Sequence, residues 1–430
     1  MAGDTLRDPV DLAWKWGNRF VVGTWHQPVG FASGHFEARA GVSDYFGIIG
    51  LLPNLVSWDN SARLYTGGLV LALRPWEGHT LRVGAGVERY ETADSIVSPA
   101  LEVTLQRTLH RPTVWSAFVD EQWAPNPRVM LRPGVRLEYV PTHNGFAGIS
   151  PRVAAKYFIT GNAAITGSAG RYYQAVHSIR DQELPITLND RWIAADRNVP
   201  VGRSDHFVLG FESWFGRDLQ LTVEGYAKTF NNLVSPNRGQ SLDRSGDEYV
   251  PTTGKSAGFD VMLRRHAGKI RGWLAYSFVR AKRTAEGITY PPAHDRRHTV
   301  NIVLEAPGPL GAQMTARWGY GSPLPYTAFT GLWFHRVYDV TDRRFDDYNE
   351  EPVAGPRNGA RYPPYTRLDV GMRWSFRKWG ASWEPYFQVV NAYNRKNAFL
   401  YFFDFESAPP TRTGVSQLPL LPTFGLEIRF

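Results

Sequence analysis

Phe424, Leu426, Ile428 and Phe430 take alternate positions at the end of the chain, with Gly425, Glu427 and Arg429 between them. A β-strand has a side-chain period of two, so this stretch presents one apolar and one charged face. The alternation recurs along the chain. Phe36, Ala38, Ala40 and Val42 oppose Glu37 and Arg39, and Leu81, Val83, Ala85 and Val87 oppose Arg82 and Glu88. Leu219, Leu221 and Val223 oppose Gln220, Thr222, Glu224, Tyr226 and Lys228; Phe259, Val261 and Leu263 oppose Asp260 and Arg264. Val300, Ile302 and Leu304 oppose Asn301 and Glu305, and Leu368, Val370 and Met372 oppose Asp369 and Arg373. Residues 131–139 alternate in the same way, as do 312–320, and weaker strands are predicted over 12–25 and 113–123. Half-buried strands of a sandwich or propeller would alternate too. A chain of 430 residues would then need several sandwiches, yet no linker, composition break or fixed repeat appears.

The connections alternate between short and long. Tight turns rich in Gly, Pro and Asn are predicted around Glu77-Gly78, Asn126-Pro127, Gly161-Asn162, Gly216-Arg217, Ala267-Gly268 and Trp379-Gly380. Long polar stretches cover 177–204, 235–255, 283–295 and 327–364. Short turns on one rim and long loops on the other are the two ends of an outer-membrane barrel. The predicted fold class is therefore all-β: an antiparallel transmembrane β-barrel of the outer-membrane type, a single domain over 1–430. Trp76, Trp123, Trp214 and Trp374 stand near short turns, where an amphipathic ring suits the membrane interface. About seventeen strands can be counted, and bacterial single-chain barrels carry even numbers, so the expectation is a larger barrel with strands lying upstream. The first strand and the last should then fail to pair, or pair irregularly.

Composition narrows the class. Mean hydropathy is −0.33, and no apolar run reaches the eighteen or so residues of a transmembrane helix. Aromatics make up 14% of the chain, as two interfacial girdles would require. There is no Cys, which removes disulfides and thiolate metal sites. The net charge of +8 is spread singly rather than gathered into a stripe, which argues against nucleic acid. Residues 1–9 carry neither the basic nor the apolar region of a signal peptide. No G-x-S-x-G, H-E-x-x-H or P-loop occurs, so no enzyme is expected. The acids Asp342, Asp346, Asp347, Glu350 and Glu351 match no calcium-loop spacing and are interleaved with Arg343 and Arg344, so no metal and no cofactor is expected.

Four motifs carry a family resemblance. Asp295-Arg296-Arg297-His298-Thr299-Val300-Asn301 is followed by Tyr320-Gly321-Ser322-Pro323-Leu324-Pro325-Tyr326-Thr327. Next come Arg361-Tyr362-Pro363-Pro364-Tyr365-Thr366-Arg367-Leu368-Asp369 and Val390-Asn391-Ala392-Tyr393-Asn394-Arg395-Lys396-Asn397. In this order, over about residues 150–430, they resemble the barrel of TonB-dependent outer-membrane receptors. The closing aromatic, with Phe424, Leu426 and Ile428, resembles the assembly signal read by the barrel-assembly machinery. The resemblance implies a receptor in the outer membrane of a Gram-negative bacterium that captures a scarce ligand and imports it into the periplasm. A plug domain and TonB box would couple such a receptor to the TonB complex; neither is visible here.

Outer-membrane lipid and lipopolysaccharide are the implied surroundings, and the ligand could be a small molecule, peptide or glycan. A passive porin-like channel and a surface-loop display barrel are the alternatives. The lumen-facing candidates for ligand contact are Arg171, Tyr173, Glu224, Tyr226, Lys228, Arg280, Arg317 and Asp369, and the loop candidates are His177, Arg180 and Trp192. Arg and aromatic side chains at a barrel mouth suit anionic, planar or sugar-like ligands.

Overall fold

The computed structural model describes residues 12–51, 56–98, 103–141, 145–179, 191–237, 249–336, 338–339, 344–345, 349–405 and 411–429. Alternation has produced one antiparallel wall. Its strands are β1 (Leu12–Val29), β2 (Gly34–Leu51), β3 (Val56–Leu73), β4 (His79–Ser98), β5 (Val103–His110), β6 (Thr113–Asn126), β7 (Val129–Val140), β8 (Phe146–Thr160) and β9 (Ala163–Gln174). They continue as β10 (Gly202–Phe215), β11 (Leu219–Pro236), β12 (Tyr249–Arg265), β13 (Arg271–Ala285), β14 (His298–Pro307), β15 (Gln313–Gly321), β16 (Tyr365–Arg373), β17 (Ala381–Val390) and β18 (Leu421–Arg429). Each strand pairs with its chain neighbour; β5 and β6 share one row, pairing with the upper and lower halves of β4. No described helix is long and apolar enough to cross a membrane. Among the described residues no ladder joins β1 to β18, and each has one ladder partner, β2 and β17 respectively.

The predicted tight turns all lie on one rim. Gly78 shows what such a turn demands: its φ is +76°, and a Cβ there would stand 2.7 Å from the Ala124 carbonyl oxygen. The opposite rim carries the long connections, now shorter than expected because the strands run on. The wall continues through Pro236 and resumes at Tyr249, and the 327–364 stretch contains a hairpin of Phe329–His335 with Asn349–Ala354. A membrane crossing needs only about ten tilted residues, so strands of 18 residues such as β1 and β2 project well past it.

Register fixes which face is which. Phe207, Leu209 and Phe211 align with Ala227, Gly225 and Val223, and these with Ala257, Phe259 and Val261. Phe207 is 60% exposed and Leu209 67%, large apolar side chains on the outer surface of the wall, where lipid would lie. The intervening rows, containing Glu212, Glu224 and Asp260, face the lumen. At the end of the sheet Phe424, Leu426 and Ile428 lie on the outer face; Phe430 lies outside the described residues. On the inner face Arg373 and Arg429 share Glu384 and Glu427, with four N–O distances from 2.8 to 3.8 Å.

The C-terminal motifs act as locks between loops. Asp295, 1% exposed, accepts Arg361 Nη2 at 2.9 Å and the Ala281 N–H at 3.0 Å. Arg361 Nη1 also donates to the Asp295 and Pro323 carbonyls, so three motifs meet on one guanidinium. Asn391 closes the turn after β17: its Nδ2 donates to the Arg395 and Leu418 carbonyls, and its Oδ1 accepts the Arg395 N–H.

Candidate functional site

On the inner face of β8 to β11 a cationic and aromatic tier lies toward the long-loop rim. The Arg152 guanidinium sits 4.6 Å from the centre of the Tyr172 ring, whose other neighbour is His206 at 4.7 Å. Lys228 stands directly across the ladder from His206, with its Nζ 5.1 Å from the Tyr226 ring, and Phe230 flanks His206 at 6.1 Å. Among the described residues the buried His206 Nε2 has no hydrogen-bond partner. Lys156 is already satisfied by Glu212 at 2.7 Å. Lower on the same face Glu224 stands opposite Asp260, so a cationic tier lies above an acidic one. A positive, aromatic-walled tier with an unfilled imidazole suits an anionic group carried on a planar body.

A folded loop closes over this tier. Val176–Ile179 pairs with Arg191–Ala194, and the hairpin carries its own core. Ile193, Ala194, Ala195, Val199 and Val201 are no more than 1% exposed. One cluster joins Ala175, Ala195 and Val201 to Val114 and Val140 on the wall, and the other joins Ile179, Ile193 and Val199 to Val234 on β11. Arg191–Ala194 lies against β3 and β4, and Val176–Ile179 against β11. The row of β5 and β6, then β7, β8, β9 and β10, separates β4 from β11. The hairpin therefore bridges across the mouth.

Farther round, Tyr326, Tyr362 and Tyr401 pack together, with Tyr362 and Tyr401 stacked at 5.1 Å. Arg412 lies 4.8 Å above Tyr401 and donates to the Tyr326 hydroxyl at 2.6 Å. Burial, reinforced by the two neighbouring phenols, pushes Tyr362 up to about 12.

The predicted candidates fall into separate places. Glu224, Tyr226 and Lys228 share the inner wall just described. Arg317 and Asp369 face each other across β15 and β16, also on the inner side. Asp369 is held by Arg367 through two 2.7 Å bonds and accepts the Asn391 N–H at 2.9 Å, which makes it a positioning group. Arg171 and Arg280 correct the lumen-facing expectation. Arg171 pairs in register with Asp205, in the alternation of Phe207 and Leu209, and Arg280 shares the face of Leu274, Tyr276 and Phe278.

Tyr173 alternates with Arg171, yet its ring packs edge-on against Phe146 at 5.2 Å. His177 is 7% exposed, and its Nε2 donates to the Pro200 carbonyl at 2.8 Å. Burial lowers its pKa below the ordinary histidine value. It belongs to the hairpin core rather than to an exposed loop surface. Trp192 is half-buried opposite Ser178, and Arg180 lies outside the described residues. Of the acidic run, Asp342, Asp346 and Asp347 also lie outside them, and no metal-binding group of His, Cys, Asp or Glu occurs among the described residues. Sequence reading missed Arg152, Tyr172, His206 and Arg412. Tyr172 and His206 could have been found by carrying the apolar alternation of Phe207, Leu209 and Phe211 across to β9.

The chain matches the family described as TonB dependent receptor-like, beta-barrel, over residues 4–394. The pyoverdine outer membrane receptor FpvA from Pseudomonas aeruginosa superposes with a TM-score of 0.67 at 10% identity, over 97% of this chain and 62% of that receptor. The ferric citrate transporter FecA gives 0.64 at 11% identity, over 96% and 62%. The ferric yersiniabactin uptake receptor FyuA from Yersinia pestis gives 0.63 at 12% identity, over 97% and 62%. The chain thus spans about three-fifths of the length of these receptors. No curated protein matches it in sequence. The family match covers most of the chain and the fold agrees: this is a member of the TonB-dependent receptor-like β-barrel family, a barrel of the Gram-negative outer membrane.

Proposed function

We propose that this chain is the wall and mouth of an outer-membrane receptor that binds a scarce ligand at its loops and lumen and imports it into the periplasm with TonB-derived energy. The observation that carries the reading is the inner tier of Arg152, Tyr172, His206, Tyr226 and Lys228 beneath a hairpin that spans the mouth. A passive pore has no need of a roofed cluster of cations and rings, whereas capture of a dilute solute does. The chemistry favours an anionic ligand with a planar part, in keeping with neighbours whose names give ferric citrate and pyoverdine as ligands. The whole chain is read as one barrel domain without enzymatic activity, and energy coupling as the work of a plug and TonB box in the full receptor. Barrel-assembly machinery and outer-membrane lipid complete its partners.

The test is uptake of a panel of labelled ferric chelates by cells expressing the full-length natural receptor. Tyr172→Ala with Lys228→Ala should reduce uptake about tenfold for the cargo that is taken up, as expected for the loss of roughly 1.4 kcal/mol or more of binding. Loss of TonB should abolish it. Uptake that persists without TonB would identify a passive channel instead.

A further inference from the structure

The outer face of the wall carries a basic group with no use in solute capture. From Phe215 to Asp205, from Arg265 to Lys255 and from Ile270 to Arg280 is in each case about ten residues, the length of one tilted crossing. Measured from the short-turn rim, Lys255 and Arg280 therefore stand at the upper edge of the apolar band, with Lys282 just above. The rings beneath them mark that edge. Phe259 lies 5.7 Å from Phe278 and 5.8 Å from Tyr276, whose hydroxyl is 2.9 Å from His298 Nδ1.

Lys255 and Lys282 are directly opposed across the ladder, and Arg280 is opposite Ala257 on the same face. All three are exposed. Like charges directly opposed in a sheet repel, and among the described residues none of the three has an ion pair or a hydrogen bond from its side chain. The acid at this depth, Asp205, is engaged by Arg171 at 2.6 Å and by Arg203 at 3.7 Å. A cluster of cations at the top of a hydrocarbon band, over aromatic rings, is complementary to a lipid whose headgroup carries phosphate.

We propose that Lys255, Arg280 and Lys282 form a binding site for the phosphate groups of lipopolysaccharide in the outer leaflet, with Phe259, Tyr276 and Phe278 against its acyl chains. Flexible ammonium groups on two facing strands can close on one phosphate, and the guanidinium two residues below can take a second. The inference rests on the barrel lying in the outer membrane, and it is independent of what the receptor transports.

The test uses the full chain in detergent micelles. It measures retained bisphosphorylated lipopolysaccharide by mass spectrometry, with no transport ligand present. The triple variant Lys255→Gln, Arg280→Gln, Lys282→Gln should retain at least fivefold less than wild type. Arg217→Gln with Lys269→Gln, which removes exposed charge from the opposite rim, should retain as much as wild type. Chemically dephosphorylated lipopolysaccharide should bind poorly to all three proteins. Equal retention by the triple variant, or equal binding of the dephosphorylated lipid to wild type, would overturn the site. Displacement of the lipid by inorganic phosphate at matched concentration would show a general anion site and overturn the lipid assignment. If the triple variant does not fold, judged by gel mobility without heating, Lys282→Gln alone should give a loss of about twofold, and no loss would overturn the proposal. Solute uptake enters none of these readings, so a failed transport hypothesis would leave the result intact.

Discussion

Single residues explain why the C-terminal motifs stand out in the sequence. Asp295, Asn391 and Asn397 are buried polar groups that hold loops rather than ligand. Asn397 both donates to and accepts from the backbone of Thr366, fixing the start of β16. Breaking a buried pair by removing one partner leaves the other uncompensated, a loss of ~3 kcal/mol. Asp295→Ala should lower stability by about that amount, read as a lower urea midpoint for the folded chain in detergent. Asp295→Asn, which can keep an acceptor for the Ala281 N–H, should lose less. His177 gives a pH-dependent case. Its pKa is depressed in the folded hairpin by burial, partly opposed by its bond to the Pro200 carbonyl, and among the described residues no charged neighbour contributes. The unfolded hairpin therefore binds the proton more readily. Hairpin stability is fully present above the ordinary histidine value of about 6.5 and falls as pH drops below it. Amide exchange of Val176–Ile179, corrected for intrinsic rates, should accelerate between pH 7 and 5, and His177→Gln should flatten that dependence. A pH-independent protection factor in the wild type would refute the assignment.

At the scale of the strand, legibility depended on how unequal the two faces are. β11 alternates leucine and valine with charge, and its outward row was read correctly from sequence. β9 runs Ala-Ala-Ile-Thr-Gly-Ser-Ala-Gly before its Arg and tyrosines, with small residues on both faces, so its own alternation carries no side. A slip of one residue exchanges the faces, and Arg171 was assigned to the lumen in place of Tyr172. Arg280 was misplaced because β13 mixes Trp, Ser and Val on its inner face with Leu, Tyr and Phe on its outer. Short turns were legible because Gly, Pro and Asn fix local backbone geometry. The hairpin over the mouth was not, because its partners on β4 and β11 are distant in sequence. Register makes a sharp prediction on β10. Leu209, mid-band on the outer face, should cost ~2–4 kcal/mol when changed to Lys. Its neighbour Val208, facing the lumen, should accept Lys with far less loss. Urea-dependent folding into lipid vesicles distinguishes the two, and equal costs would mean that the faces are assigned wrongly.

Across the whole molecule the two halves are built differently. On the long-loop rim, connections among β1 to β9 are short, such as 52–55 between β2 and β3, whereas those from β9 onward include 175–201, 322–364 and 391–420. Loop mass, and with it any specificity for solute, is concentrated over the C-terminal half, while the N-terminal half contributes long strands. Two of those loops are joined by the Tyr326–Tyr362–Tyr401 cluster and Arg412, and Phe329 packs edge-on against Phe403 at 5.3 Å beside it. A stacked phenol cluster capped by a guanidinium contributes ~1 kcal/mol per contact beyond area, enough to make the two loops move as one. Arg412→Ala should therefore release both. Limited proteolysis of the folded chain should show cleavage in 322–364 and in 391–420 rising together by about fivefold, while cleavage in 175–201, which has its own core, stays unchanged. The phenols allow an independent check: Tyr362 is held neutral up to about 12 in the packed cluster. The stability this lends is present below the ordinary tyrosine value near 10 and is lost as pH rises from there through 12. Raising the pH of the wild type through that window should reproduce the paired cleavage of Arg412→Ala. Release of one loop without the other, by either route, would show that the cluster does not couple them.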